Sequence, residues 1–162
     1  MIVVSDTSCL SGLFLIGQIK LLSLLYGKVI VPSSVWAEFL ELEKFGFTPQ
    51  TITVLVDLQV LTPQNQALVE VLKEQLDAGE SEAIVLAKEI SADLLLLDER
   101  LGTTIARKMG LKTTGILGIL IEAKSKNLIP TIKPLLADLR DKAGFWLSEK
   151  LEEQVLLAVN EE

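Results

Sequence analysis

The sequence predicts a three-layer α/β/α domain on a mainly parallel sheet, and three observations carry that prediction. Short apolar runs alternate with helical patterns along the chain. The runs are apolar throughout, as expected of strands covered on both faces. With 162 residues, 49% of them hydrophobic, the chain is long enough to bury a core without cross-links.

Ile2-Val3-Val4 is a β-branched run ending at Ser5-Asp6, which suits a strand. Leu10–Tyr26 has a helical pattern, with a break predicted near Gly17. Val29-Ile30-Val31 forms a second strand, closed by Pro32. Ser33 and Ser34 can cap a helix from about Val35 to Lys44, and Gly46 to Pro49 is a loop. Leu58–Leu61 is a short edge strand. Pro63 opens a helix to about Leu76, and Gly79 starts the next, to about Ile90. Leu94–Leu97 is a continuous apolar strand, followed by a helix to Met109. Lys112–Thr114 is a last strand, and helices fill most of the remainder. Without repeats, low-complexity tracts or a linker, residues 1–162 read as a single domain. In such sheets ligands sit beyond the carboxyl ends of the strands, which draws attention to the residues that follow them.

The composition excludes several chemistries. The chain has no histidine, which removes imidazole triads and the usual zinc sites. A single cysteine, Cys9, rules out an internal disulfide and a cysteine-rich cluster, and suits a reducing cytoplasm. Hydrolysis would then need a carboxylate or a metal-activated water. The mean hydropathy of +0.45 raises the question of a membrane. The longest apolar stretches, Cys9–Ile16 and Ile116–Ile121, are far shorter than the roughly 20 residues of a spanning helix and read as buried core. No basic region precedes the first apolar run, so no secretory signal is expected.

A net charge of −7 argues against indiscriminate nucleic-acid binding by the whole surface. The distribution is uneven. From Arg100 to Lys126 the bases Arg100, Arg107, Lys108, Lys112, Lys124 and Lys126 face one acid, Glu122, whereas residues 70–99 lean acidic. Such blocks suit an anionic substrate held at a cation site, or they are ordinary solvated helix faces. Of the basic residues, Arg100, Arg107 and Lys108 are the candidates for contacts with the phosphates of such a substrate.

Four acids occupy unusual places. Asp6 and Asp98 each follow an apolar strand, where either could also serve as a helix cap. Glu38 lies three residues after Val35, on the apolar stripe of Val35, Phe39 and Leu42. Glu80 shares a helix face with Ala83, Ile84 and Ala87, while Glu82 and Glu89 fall on the opposite face and read as surface acids. Asp77, in the preceding turn, is a weaker candidate. If these acids meet, two like charges about 4 Å apart cost roughly 4 kcal/mol at an effective dielectric of 20, unless protons or a cation neutralise them. An all-carboxylate set favours a hard, oxygen-seeking ion, Mg²⁺ or Mn²⁺.

The sequence resembles the PIN-domain nucleases, in particular the prokaryotic group with a Gly-Glu-x-Glu-Ala-Ile segment. The matching pieces are Val-Ser-Asp-Thr-Ser (4–8), Val-Pro-Ser-Ser-Val-Trp-Ala-Glu (31–38), Leu-Asp-Ala-Gly-Glu-Ser-Glu-Ala-Ile (76–84), Leu-Leu-Leu-Asp-Glu-Arg (95–100) and Gly-Ile-Leu-Gly-Ile-Leu-Ile-Glu-Ala-Lys (115–124). The resemblance maps the family's four acids onto Asp6, Glu38, Glu80 and Asp98, with Thr7 or Ser8 as an assisting hydroxyl. Relatives often carry a basic residue near position 103, where this chain has Thr103. The resemblance implies Mg²⁺- or Mn²⁺-dependent hydrolysis of RNA phosphodiesters at these acids. It also implies a toxin role, with a small antitoxin protein as partner, and a homodimer. The alternative from another functional class is a catalytically silent PIN-like interaction module. A response-regulator receiver needs adjacent acids after the first strand, where this chain has Ser5-Asp6. A haloacid-dehalogenase-like phosphatase needs a second Asp where Ser8 stands.

Overall fold

The computed structural model describes residues Met1 to Glu162. At its centre is a wholly parallel sheet of β1 (Val3–Ser5), β2 (Lys28–Pro32), β3 (Asp57–Leu61), β4 (Leu94–Leu96) and β5 (Thr113–Thr114), in the order β3-β2-β1-β4-β5. Around it lie α1 (Thr7–Leu15), α2 (Lys20–Tyr26), α3 (Ser33–Leu40), α4 (Ile52–Leu55), α5 (Gln66–Leu72), α6 (Ala78–Glu89), α7 (Arg100–Lys108), α8 (Ile116–Ser125), α9 (Lys133–Asp141) and α10 (Glu149–Ala158). This is the expected three-layer architecture. No single helix is long and apolar enough to cross a membrane.

The two faces of the sheet carry separate apolar cores. Val3 of β1 joins the larger, with Leu10 and Leu13 of α1, Leu22 of α2 and Ile119 of α8. Val4 turns to the smaller, with Ala83, Ile84 and Ala87 of α6 and Ala106 of α7. The residues of β4 and its exit divide likewise: Leu96 faces the larger core, Leu95 and Leu97 the smaller. Successive strand side chains point to opposite faces, so a strand buried on both sides reads as one apolar run.

The boundaries differ from expectation where local capping decides them. The helical stretch expected over Leu10–Tyr26 begins earlier, at Thr7, and does break at Gly17, whose φ of 73° is left-handed. The helix expected to reach Lys44 stops at Leu40 and tightens into a 3₁₀ turn over Glu41–Phe45, ended by left-handed Gly46. A further 3₁₀ turn (Pro49–Thr51) and α4 then occupy a stretch in which the sequence suggests no helix. The helix expected from Pro63 to Leu76 spans only Gln66–Leu72, because Asn65 caps it by accepting the Leu68 N–H at 3.1 Å. Ser33 and Ser34 are not caps but the first residues of α3, which has no side-chain cap from its own N-cap position, Pro32.

From β1 the chain moves outward to β2 and β3, then returns across β1 to place β4 and β5 on its other side. The order therefore reverses between β1 and β4. Asp6 and Asp98 leave those two strands on either side of the resulting crevice, where open parallel sheets bind ligands.

Candidate functional site

The inner pair of acids is fixed by backbone. Asp6 is 1% exposed. Its Oδ1 accepts the Cys9 N–H at 2.9 Å, capping α1, and its Oδ2 accepts the Asp98 N–H at 3.4 Å. Asp98 receives the Ile116 N–H, the first of α8, at 3.1 Å on both oxygens. The buried Cys9 thiol donates to Asp98 Oδ2 at 3.2 Å, so one residue holds both carboxylates. Asp6 is thus a helix cap and a member of the acid pair at once. Asp98 does not cap the helix that follows it. Glu99 does, accepting the Leu101 N–H at 3.0 Å and the Gly102 N–H as well.

Glycines admit the outer acids. A Cβ on Gly102 would lie 3.2 Å from Glu99 Oε2 and 3.6 Å from Glu80 Oε2, so both carboxylates rest against the first turn of α7. A Cβ on Gly79 would lie 3.0 Å from Thr7 Oγ1, 3.4 Å from Val35 Cγ2 and 3.5 Å from Glu38 Oε1, so α1, α3 and α6 meet there. Glu80 is half-buried, in keeping with its helix face. Glu38 is an exposed residue, not a buried one: Val35 and Phe39 take the core positions and Glu38 sits at the margin of their stripe, its carboxylate turned to Thr7 and Gly79. Thr7 Oγ1 is buried without a well-formed hydrogen bond, yet stands close enough to favour the Glu38 anion. Ser8 is exposed, which leaves Thr7 as the hydroxyl at the site.

Burial and crowding make these acids reluctant to ionise. Burial raises Asp6 from 3.8 to about 7; the Cys9 N–H opposes the rise and the Asp98 charge adds to it. Burial, then a shared hydrogen bond with Asp77 and repulsion from Asp77, Glu99 and Asp6, raise Glu80 from 4.5 to about 8. Burial likewise raises Glu38 and Asp98. A divalent cation would relieve this repulsion, and both oxygens of Asp6 and Oδ1 of Asp98 can still offer a lone pair beside their N–H donors, whereas Asp98 Oδ2 already accepts from both Ile116 and Cys9. The donor set and the poorly bonded Thr7 hydroxyl therefore fit a hard cation. As the side chains stand, no three of the acids converge on one point. Coordination would draw Glu80 or Glu38 inward toward the fixed pair.

The remaining predicted residues fall in two groups. Arg100 opens α7 beside Glu99 and is exposed. Arg107 and Lys108 end the same helix, about 10 Å further along its axis, and Arg107 Nε donates to Thr113 Oγ1 at 3.0 Å. Lys124 pairs with Glu161 at 2.6 Å and Lys126 with Glu122 at 3.2 Å. Glu82 and Glu89 are not idle surface acids. Glu82 accepts the Ser34 N–H at 3.2 Å and the Ser33 hydroxyl at 3.3 Å, while Glu89 accepts the Gln64 and Asn65 N–H groups at 3.0 and 2.6 Å. Sequence reasoning also passed over Glu99 and Cys9. The adjacent acids Asp98-Glu99 after a strand were a usable signal for the first; nothing local marked the second.

A family model described as a PIN domain matches residues 2–161. The chain belongs to the PIN-domain family, a superfamily of metal-dependent nucleases. It matches none of the curated proteins and none of the solved structures with which it was compared.

Proposed function

We propose that this chain is a Mg²⁺- or Mn²⁺-dependent endoribonuclease that acts in a reducing cytoplasm, with Asp6, Glu38, Glu80 and Asp98 as its working acids. The observation that carries the reading is the inner pair: two carboxylates bonded through Cys9 at the strand-order reversal of a PIN-family sheet. A bound divalent cation would supply Lewis acidity toward the phosphate and the attacking water. Asp6 and Asp98 would bind it with their outward lone pairs, already oriented by N–H donors. Glu80 holds its proton up to about pH 8 in the free protein. A bound cation would displace that proton, and the Glu80 carboxylate would then take one from water as that oxygen bonds to phosphorus, the opposite P–O ester bond breaks and the leaving oxygen is protonated from solvent. Arg100, at the edge of the site, would neutralise a flanking phosphate.

We extend this reading to a toxin-type protein, paired with a small antitoxin protein and assembled as a homodimer. Its support is the resemblance of the Gly-Glu-Ser-Glu-Ala-Ile segment. The spread of the acids favours a second reading, a catalytically silent interaction module, because no three of them yet converge. One set of measurements separates the two. Mn²⁺ should raise the melting temperature of the wild type but not of Asp6→Asn, as expected for a ligand bound only by the folded state. Glu80→Gln should abolish cleavage of a labelled single-stranded RNA. An equal Mn²⁺ response in wild type and Asp6→Asn would remove the metal site. Metal binding without cleavage by the wild type would favour the silent module.

A further inference from the structure

The ribonuclease reading uses Glu80 of the Gly-Glu-Ser-Glu-Ala-Ile segment and leaves Glu82, two residues on, without a task. The structure gives it one. The N-cap position of α3 is Pro32, which supplies no side-chain acceptor, and the first turn of α3 contains no acid. The N–H groups of that turn need an acceptor, and the positive end of the helix favours an anion. Glu82 of α6 reaches across to supply both, through Ser34 N–H and Ser33 Oγ. Two further bonds converge on the same turn. Ser34 Oγ donates to Ala78 O, at the start of α6, at 3.5 Å, and Thr62 Oγ1, just beyond β3, donates to Ser33 Oγ at 3.2 Å.

What this turn carries is Glu38, one helical turn after Ser34. Glu38 accepts no backbone N–H that would hold it in place, and the side chain that favours its anion is the Thr7 hydroxyl, which lies with it against Gly79. Its position is therefore set by where α3 sits. The missing Cβ of Gly79 lets α6 approach Val35 closely but supplies no directional bond. We propose that Glu82 is a positioning residue, whose carboxylate clamps the first turn of α3 onto α6 and so fixes Glu38 relative to Thr7, Glu80 and the inner pair. The inference rests on the ribonuclease reading, and it assigns the two acids of one short segment to different work: Glu80 at the site, Glu82 in the joint between the helices that bear the outer acids.

The test uses the full chain and three measurements: Mn²⁺ affinity by indicator competition, amide exchange across residues 33–40, and kcat and KM on a single-stranded RNA. Glu82→Ala should weaken Mn²⁺ binding about tenfold, the scale of loss for residues that orient metal ligands. It should also speed exchange in the first turn of α3 and lower kcat more than it raises KM. Glu82→Gln keeps an acceptor but loses the charge, and should weaken Mn²⁺ binding only roughly threefold. That graded order is the expected signature. Wild-type Mn²⁺ affinity in both variants would overturn the proposal, even if exchange quickened. Should Glu82→Ala not fold, wild-type affinity in Glu82→Gln overturns it alone. A wild type that binds no Mn²⁺ would instead sink the ribonuclease reading, and the Glu82 proposal with it.

Discussion

Asp6 is the one charged residue that the fold buries, and its reluctance to ionise has a consequence for stability. Free in the unfolded chain its carboxyl would titrate at 3.8; in the folded protein it holds its proton up to about 7. Between those values the folded state binds more protons, so the free energy of unfolding falls as pH rises. Above pH 7 the full penalty applies, up to about 4 kcal/mol for this residue. Glu80 acts in the same direction up to about pH 8, more weakly because solvent reaches it. In chelator, the metal-free protein should therefore be more stable toward urea at pH 5 than at pH 8. Asp6→Asn should flatten most of that slope. A wild-type profile that is flat, or that rises with pH, would mean the pair is better solvated than its burial indicates.

The elements around the site share one device. The N-termini of α1, α3, α6, α7 and α8 each receive a carboxylate: Asp6, Glu82, Asp77, Glu99 and Asp98. Helix N-termini attract negative charge, which is how an acidic edge can exist before any cation binds. The α8 terminus shows how tightly the device is built. A Cβ on Gly115 would collide with Asp98 Oδ1 and lie 3.3 Å from its Cγ, although the φ of −100° is open to any residue. Gly115→Ala should therefore act purely through sterics, costing about 1–3 kcal/mol as overpacked sites do. By pushing Asp98 from its seat on α8, it should also shrink the Mn²⁺-induced rise in melting temperature. An alanine variant with wild-type stability and metal response would show that Asp98 moves freely. Legibility from sequence stopped at this level. Periodicity located α6 and chose the face of Glu80, but could not show that Glu82 and Glu89 reach the termini of other helices, since no local pattern encodes which terminus lies across the gap.

At the scale of the molecule, four of the six residues of the basic block fall into separate places. Lys124 and Lys126 are paired with Glu161 and Glu122, Arg107 bonds to Thr113, and Arg100 alone stands beside the acids. With a net charge of −7, only a few phosphate contacts are available. Arg100→Gln should weaken binding of single-stranded RNA and reduce its salt slope by about 0.7, the value of one neutralised phosphate. Arg107→Gln should change neither. If Arg107 rather than Arg100 moves the slope, the RNA path runs down α7 and away from the acid edge.

The sequence by itself determined the layer architecture, the identity of the strands and the acids that follow them. These depend on which side chains are apolar and at what spacing, and both are local properties. It also brought Asp6 and Asp98 to notice, because a residue after a buried strand must emerge at the sheet's carboxyl edge. It misjudged Glu38, treating a position beside the apolar stripe as one within it, because a helical wheel cannot say how far the core extends around a helix. Only the tertiary structure decided that β4 lies beside β1, which makes the two aspartates neighbours although ninety-two residues separate them. It alone set Cys9 between them and Glu82 on α3. Those contacts join residues distant in sequence through the packing of whole elements, and hydrogen bonds of that kind form only after the apolar faces have chosen their partners.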